Sequence, residues 1–214
     1  MKLLIFDTET TGLPKSREPA IRGPNNWPHL VSIAWIVVEN DKILKSDYHI
    51  IKPNWDIPED STKIHGITNE KANSSGEPLK EVLNKFFAEE HDVLVAHNMS
   101  FDYNVLVNAI LWDAQMGYPL FKRRFCTMDS MTTVMKMPAA NGRGFKPPKL
   151  VELYAYTTKK QAQTHQLHNS LYDTQLLAES IIASPVLKAM IGLPINDESN
   201  PNAGKKARYT TLTI

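Results

Sequence analysis

The stretch FDTETTGL (6–13) sets two carboxylates one residue apart at the end of a short apolar run. KLLIF (2–6) is continuous and apolar, which predicts a buried strand. Side chains alternate along an extended chain. Asp7 and Glu9 therefore point one way and Thr8 the other, the two acidic Cα atoms roughly 6.5 Å apart by strand geometry. Like charges that close raise each other's pKa unless a cation neutralises them. Carboxylate oxygens are hard ligands, suited to Mg²⁺ or Mn²⁺. Two solvated acids at an exposed strand end would give the same local pattern, so the rest of the chain has to decide.

Beyond this stretch, residues 14–29 hold four prolines and GPNN, which predicts a surface loop. LVSIAWIVV (30–38) and KILKSDYHII (42–51) are strands joined by a turn at END (39–41), hence antiparallel neighbours. Residues 53–78 are rich in Pro, Ser and Asn and read mostly as loop. LKEVLNKFFAEE (79–90) places Leu79, Val82, Leu83, Phe86 and Phe87 on one helical face. DVLVAHN (92–98) is another buried strand, after which Ser100 suits the N-cap of a helix running to about Met116. RFCTMD (124–129) predicts a short edge strand leading into a helix near 129–136, and residues 138–149 a loop. KLVELYAYT (149–157) predicts one or two helical turns. Asn169 or Ser170 caps a helix to about Ala183, and Ser184-Pro185 starts another. The tail from 195 is polar, with YTTLTI (209–214) a candidate strand. Strands first in antiparallel pairs and then alternating with helices predict an α/β fold, a mixed sheet covered by helices.

Two further segments bear on the carboxylates. In AHNMSFD (96–102), a strand ends and Asp102 falls in the first turn of the next helix. An acid there also suits the helix dipole, but His97, Asn98 and Phe101 add ring, amide and aromatic groups at a strand end, where α/β proteins build sites. In HNSLYD (168–173), Ser170 to Asp173 fits a capping box. His168 and Asp173 could not share a face if both were helical, since five residues rotate by about 500°. With His168 just before the helix and Asp173 in its first turns, both reach one point.

The totals set the frame. The chain has 214 residues, 42% hydrophobic and 22% charged, which fits one domain or one domain with a short appendage. The apolar run after Lys2 is too short for a signal peptide, and no run is long enough to span a bilayer. The lone Cys126 rules out an internal disulfide and a cysteine-cluster metal site, and fits a reducing cytoplasm. Residues 1–120 hold 11 Lys and Arg against 17 Asp and Glu, a net of −6; residues 121–214 hold 13 against 6, a net of +7. That asymmetry points to a polyanionic partner or to an acidic site closed by a basic surface.

In this order and after this strand pattern, the three segments closely resemble the motifs of the DEDDh branch of the DEDD exonucleases. That DnaQ-like group includes the proofreading epsilon subunits of bacterial replicases. Asp7 and Glu9 match its first motif, Asp102 its second, and His168 with Asp173 its third; IHGIT (64–68) resembles a family segment near the active site. The likeness covers roughly residues 1–183. It implies a ribonuclease H-like mixed five-stranded sheet with flanking helices, an exonuclease domain over 1–194 and a tail over 195–214. It implies phosphodiester hydrolysis from the 3′ end with two divalent metal ions, Mg²⁺ or Mn²⁺, releasing 5′-mononucleotides. Asp7 would bridge both ions, Glu9 and Asp173 would complete one site and Asp102 the other, and His168 would be the general base. Substrate contacts would fall to the backbone at Thr10 and Gly12, to Leu13 as a wedge, and to His65, Asn98 and Phe101.

Lys122, Arg123, Arg124, Lys146 and Lys149 are candidates to follow the upstream phosphates. The expected partners are single-stranded DNA or RNA 3′ ends, DNA favoured, with a DNA polymerase as a candidate partner and no membrane. The absence of a long extension after 195 tilts the expectation towards a stand-alone nuclease. Alternatives are an RNA-trimming exoribonuclease of the same family and a catalytically weak nucleic-acid-binding module; the third motif argues against an endonuclease.

Overall fold

A computed structural model describes residues 1–117 and 123–193. Five strands form one mixed sheet: β1 (Lys2–Thr10), β2 (Leu30–Glu39), β3 (Lys42–Ile50), β4 (Val93–Ala96) and β5 (Arg124–Cys126). Their spatial order is β3-β2-β1-β4-β5. β2 and β3 form an antiparallel hairpin whose turn residues, Asn40 and Asp41, both have positive φ (52° and 62°). Asn and Asp tolerate that conformation, and a turn of this kind matches the twist of the flanking strands. β4 and β5 run parallel to β1 and to each other. This is the α/β, five-stranded mixed sheet that the sequence predicts.

β1 is longer than its apolar run. It stays paired with β2 through Asp7–Ala34, Thr8–Ile33 and Glu9–Ser32, with a register shift between Glu9 and Thr10. The carboxylates therefore stand on a paired strand rather than beyond the end of one, because β2 supplies hydrogen-bond partners after the apolar residues run out. Pairing of β1 with β4 stops at Ile5–Val95. The chain thus leaves β4 beside the acidic end of β1.

Helices cover both faces. On one side Leu4, Phe6, Ile33 and Trp35 pack against α3 (Leu79–Phe87) and α4 (Met99–Asn108), through residues such as Val82, Phe86, Val105 and Leu106. On the other side Leu3, Ile5, Ile36 and Val95 pack against α7 (Ser170–Ala183) and α8 (Pro185–Ile191), with α5 (Thr127–Met135) and α6 (Leu150–Thr158) contributing Met131 and Leu153. A fully buried side chain of this size contributes on the order of 1.5–3 kcal/mol. Strand alternation carries both faces into the motif. Thr8 continues the Leu4–Phe6 face towards α4, and Asp7 and Glu9 continue the Leu3–Ile5 face towards α7.

Three expectations are corrected. The segment 53–78 is not mostly loop: it holds α1 (Glu59–His65) and α2 (Asn69–Ser75). Each is two turns long and buries only one residue, Ser61 or Ala72, so no apolar stripe announces it. Capping defines both: Gly66 closes α1 with φ 72°, and Thr68 opens α2 by accepting a hydrogen bond from the Lys71 N–H. Ser100 does not cap α4. Asn98 holds that position in the left-handed region (φ 72°), and after Asn108 the helix widens into a π-helical turn over Ala109–Asp113. Of the two expected caps of α7, Asn169 is the one that forms, accepting from Leu171 and Tyr172, so the capping box at Ser170 does not form and the buried Ser170 hydroxyl turns inward to Ser32. The tail over 195–214, its candidate strand and Lys122 lie outside the described residues. No single helix among the described residues is long and apolar enough to cross a membrane.

Candidate active site

Three elements meet at the end of β1. From β1 and α7, Asp7, Glu9 and Asp173 bring carboxylate oxygens within 4.8 Å of one another. From α4, Asp102 approaches over the opposite face and is held there by Thr8, whose hydroxyl (2.7 Å) and N–H (3.2 Å) both donate to Asp102 Oδ1. The Thr8 N–H lies beyond the end of β4 pairing, so a carboxylate takes the place of a strand partner. Asp173 Oδ2 accepts from the His168 N–H at 3.2 Å, and its Oδ1 is buried with no partner among the described residues.

The electrostatics follow from this crowding. Burial, then the Asp102, Glu9 and Asp173 charges, push the Asp7 carboxyl well above its ordinary pKa. Burial, then Asp173 and Asp102, raise Glu9 to about 8. Burial raises Asp102 to about 7 against the opposing Thr8 hydrogen bonds, and raises Asp173 to about 6 against the His168 N–H. Four carboxylates that repel one another, one with an orphaned buried oxygen, form a hard-oxygen set that a divalent cation would satisfy. The donor chemistry thus fits Mg²⁺ or Mn²⁺.

A cleft of about 470 Å³ opens over this cluster. The structure brings the expected carboxylates, His168 and the nearer substrate contacts to it: Asp7, Glu9, Thr10, Gly12, Leu13, His65, Asn98, Phe101, Asp102, His168 and Asp173 all line its walls, whereas Arg123, Arg124, Lys146 and Lys149 do not. The Thr10 hydroxyl donates to the Gly12 carbonyl (2.7 Å) and Gly12 takes φ 147°, a turn that leaves Leu13 82% exposed at the rim. Phe101 packs on Trp27 at 5.9 Å between ring centroids. His65 uses Nδ1 to accept from the Ile67 N–H (3.1 Å), while its buried Nε2 forms no hydrogen bond of ordinary geometry; burial lowers its pKa, opposed by the neighbouring Thr10 backbone. His168 stands exposed with φ 61° just before the α7 cap.

Some side chains are committed elsewhere. His97 touches the cleft, but its two ring nitrogens contact the Thr127 hydroxyl and the Pro148 carbonyl, both at 3.0 Å, so it ties the β4–α4 loop to the 138–149 loop. Lys146 pairs with Glu152 at 2.6 Å, and the Arg124 guanidinium lies over the Tyr103 ring at 3.9 Å. Sequence reasoning missed Thr8, Ser61 and the Ser32–Ser170 hydroxyl pair (3.1 Å), which joins the start of α7 to β2 directly opposite Glu9, while Ile64 of the IHGIT segment lines the cleft as the resemblance implies. Thr8 had a signal, the alternation that puts it on the Leu4–Phe6 face.

A family model described as Exonuclease matches residues 4–180. The chain belongs to this exonuclease family. The DNA polymerase III subunit epsilon of Rickettsia prowazekii (strain Madrid E) is 31% identical over 188 residues, which cover 86% of this chain and 73% of that protein. The subunit epsilon of Buchnera aphidicola subsp. Schizaphis graminum is 32% identical over 103 residues, 47% of this chain and 42% of that protein. The PolC-type DNA polymerase III of Thermotoga petrophila is 31% identical over 104 residues, yet the chain spans only 7% of its length. Among solved structures, exonuclease X in complex with 5′ overhanging duplex DNA superposes with a TM-score of 0.61 at 24% identity, covering 90% of this chain and 94% of that one. E. coli exonuclease I, in a zinc-bound complex with single-stranded DNA, gives 0.66 at 16% identity over 89% of this chain and 43% of that one. At those identities the structures establish the fold alone.

Proposed function

We propose that the protein is a metal-dependent 3′→5′ exonuclease that removes 5′-mononucleotides from the 3′ ends of single-stranded nucleic acid, DNA in preference to RNA. The observation that carries this reading is the convergence of four buried or half-buried carboxylates from β1, α4 and α7 on one open cleft. Asp7, Glu9 and Asp173 would hold one divalent ion, and Asp102 with Asp7 a second. Ions held there would neutralise the attacked phosphate, ease deprotonation of the attacking water and stabilise the leaving 3′ oxygen.

The chain's own residues do the rest. Leu13 and Phe101 offer apolar surface to the terminal base, so a frayed or single-stranded end binds without the cost of unpairing. The backbone at Thr10 and Gly12, with His65 and Asn98, lines the space left for the terminal sugar and phosphate. His168 sits at the rim with its backbone N–H on Asp173, and its ring nitrogen accepts the proton of the attacking water. The preference for DNA is supported by relatives that are DNA polymerase III epsilon subunits and by structural neighbours solved on DNA. The same likeness makes a DNA polymerase the partner we propose first.

The test is parallel digestion of 5′-labelled single-stranded DNA, RNA and a mismatched-primer duplex with Mg²⁺ or Mn²⁺. The expected result is a descending ladder from DNA ends that exceeds the rate on RNA. Faster trimming of RNA would replace DNA by RNA as the substrate, and no turnover on any of the three would leave a binding module.

A further inference from the structure

We infer that Thr8 is a positioning residue that fixes how Asp102 meets a divalent ion, and so sets the affinity of one of the two proposed ion sites without touching the other. This rests on the two-ion reading above. Two donors from the same residue converge on one oxygen: the Thr8 hydroxyl and the Thr8 N–H both reach Asp102 Oδ1. Both residues are buried, at 6% and 3% exposure, so water does not compete for that oxygen. With Oδ1 committed twice, Thr8 leaves Oδ2 as the oxygen offered to an ion and restrains the rotation of the carboxylate about its last bond.

The asymmetry of the strand confines the effect. Thr8 lies on the α4 face of β1, and Asp7 and Glu9 lie on the α7 face with Asp173. Replacing the hydroxyl leaves that three-carboxylate cluster in place. It removes the shorter of the two restraints on Asp102 and keeps the longer N–H one. Groups that orient a metal ligand from behind are typically worth about 10–100-fold in metal affinity.

Thr8→Val keeps the β-branched shape and removes the donor; Thr8→Ser keeps the donor. Mn²⁺ titration of the full-length protein without nucleic acid, followed by calorimetry and by the paramagnetic signal of free Mn²⁺, counts and ranks the sites, with the metal-free melting temperature recorded alongside. We expect two ions in the wild type. Thr8→Val should weaken one of them about 10–100-fold and the other by less than about twofold, and raise the Mn²⁺ needed for half-maximal rate by the same factor while kcat at saturating Mn²⁺ is largely kept. Thr8→Ser should bind as the wild type does. Two sites of unchanged affinity in Thr8→Val, equal weakening of both, or failure of Thr8→Ser to restore binding would each overturn the role of Thr8 and leave the proposed function standing. A wild type that binds fewer than two ions would overturn the two-ion reading and this inference with it.

Discussion

The two faces of β1 solve the same problem differently. On the α7 face, three carboxylates lie within 4.8 Å, and the one hydrogen bond described for them is the His168 N–H on Asp173. On the α4 face, a single carboxylate is held by two donors from Thr8 before any ligand arrives. The first arrangement stores repulsion that a cation would relieve; the second spends its hydrogen bonds on orientation. A site built this way keeps one carboxylate fixed and the other three under charge stress, and under the proposed function both parts would be needed to clamp a phosphate between them.

The largest effects should come from breaking either face. Asp7→Asn, Glu9→Gln, Asp102→Asn and Asp173→Asn are each expected to lower kcat about 10³-fold or more, as removal of one member of a cooperating catalytic set does. Asp7→Asn should be the most severe, because Asp7 is charge-coupled to both faces. Steady-state digestion of single-stranded DNA checks this, and wild-type rates in any two variants would dissolve the assignment. Next, His168→Ala should cost about 10²- to 10⁴-fold in kcat, the usual worth of a general base. Calorimetric Mn²⁺ binding by that variant should stay intact; its loss would make His168 a ligand of the α7 face instead of a base.

A smaller effect is expected at the rim. Leu13→Ala removes an apolar side chain that is 82% exposed at the cleft rim, and base stacking on such groups is worth about 1–3 kcal/mol. KM for single strands should rise about tenfold with kcat nearly unchanged, and a pure kcat defect in initial-rate measurements would place Leu13 in the chemistry.

The mildest effect is on stability, and its sign follows from the carboxyl pKa values. Glu9, Asp102 and Asp173 bind their protons more tightly folded, at about 8, 7 and 6, than an unfolded chain does near about pH 4. Between about pH 4 and pH 8 the native state therefore holds more protons than the unfolded one, and stability falls as pH rises through that window. Calorimetric melting without metal should drop by at least about 5 °C from pH 5 to pH 8, at ~2–4 °C per kcal/mol for a chain of this size. Mn²⁺ at pH 8 should reverse the drop, and Asp173→Asn should melt no lower than the wild type there. A metal-free protein that gains stability with pH would contradict the crowding.

The two faces also differ in how legible they are in the sequence. Asp7 and Glu9 could be placed together from strand alternation alone, and His168 just before a helix that carries Asp173 follows from the Asn169 cap. Each of those inferences is local. Thr8 holding Asp102 is not, since it needs α4 packed on the Leu4–Phe6 face, 94 residues away along the chain. The Ser32–Ser170 pair is hidden for the same reason, its partners being 138 residues apart. The helices α1 and α2 were missed on different grounds: they bury almost nothing, so capping rather than periodicity defines them. Contacts that run through tertiary packing leave no trace in a hydrophobic period, and these are the ones the structure adds.

Under the proposed function, both faces together form one end-directed, metal-dependent hydrolytic site. Its most direct test is a paired digestion of linear and covalently closed circular single-stranded DNA of one sequence, with Mn²⁺, with chelator, and with Asp7→Asn as control. The linear strand should shorten from its 3′ end to 5′-mononucleotides in Mn²⁺ alone, while the circle stays intact. Nicking of the circle, or shortening of the linear strand that persists in chelator or in Asp7→Asn, would contradict it.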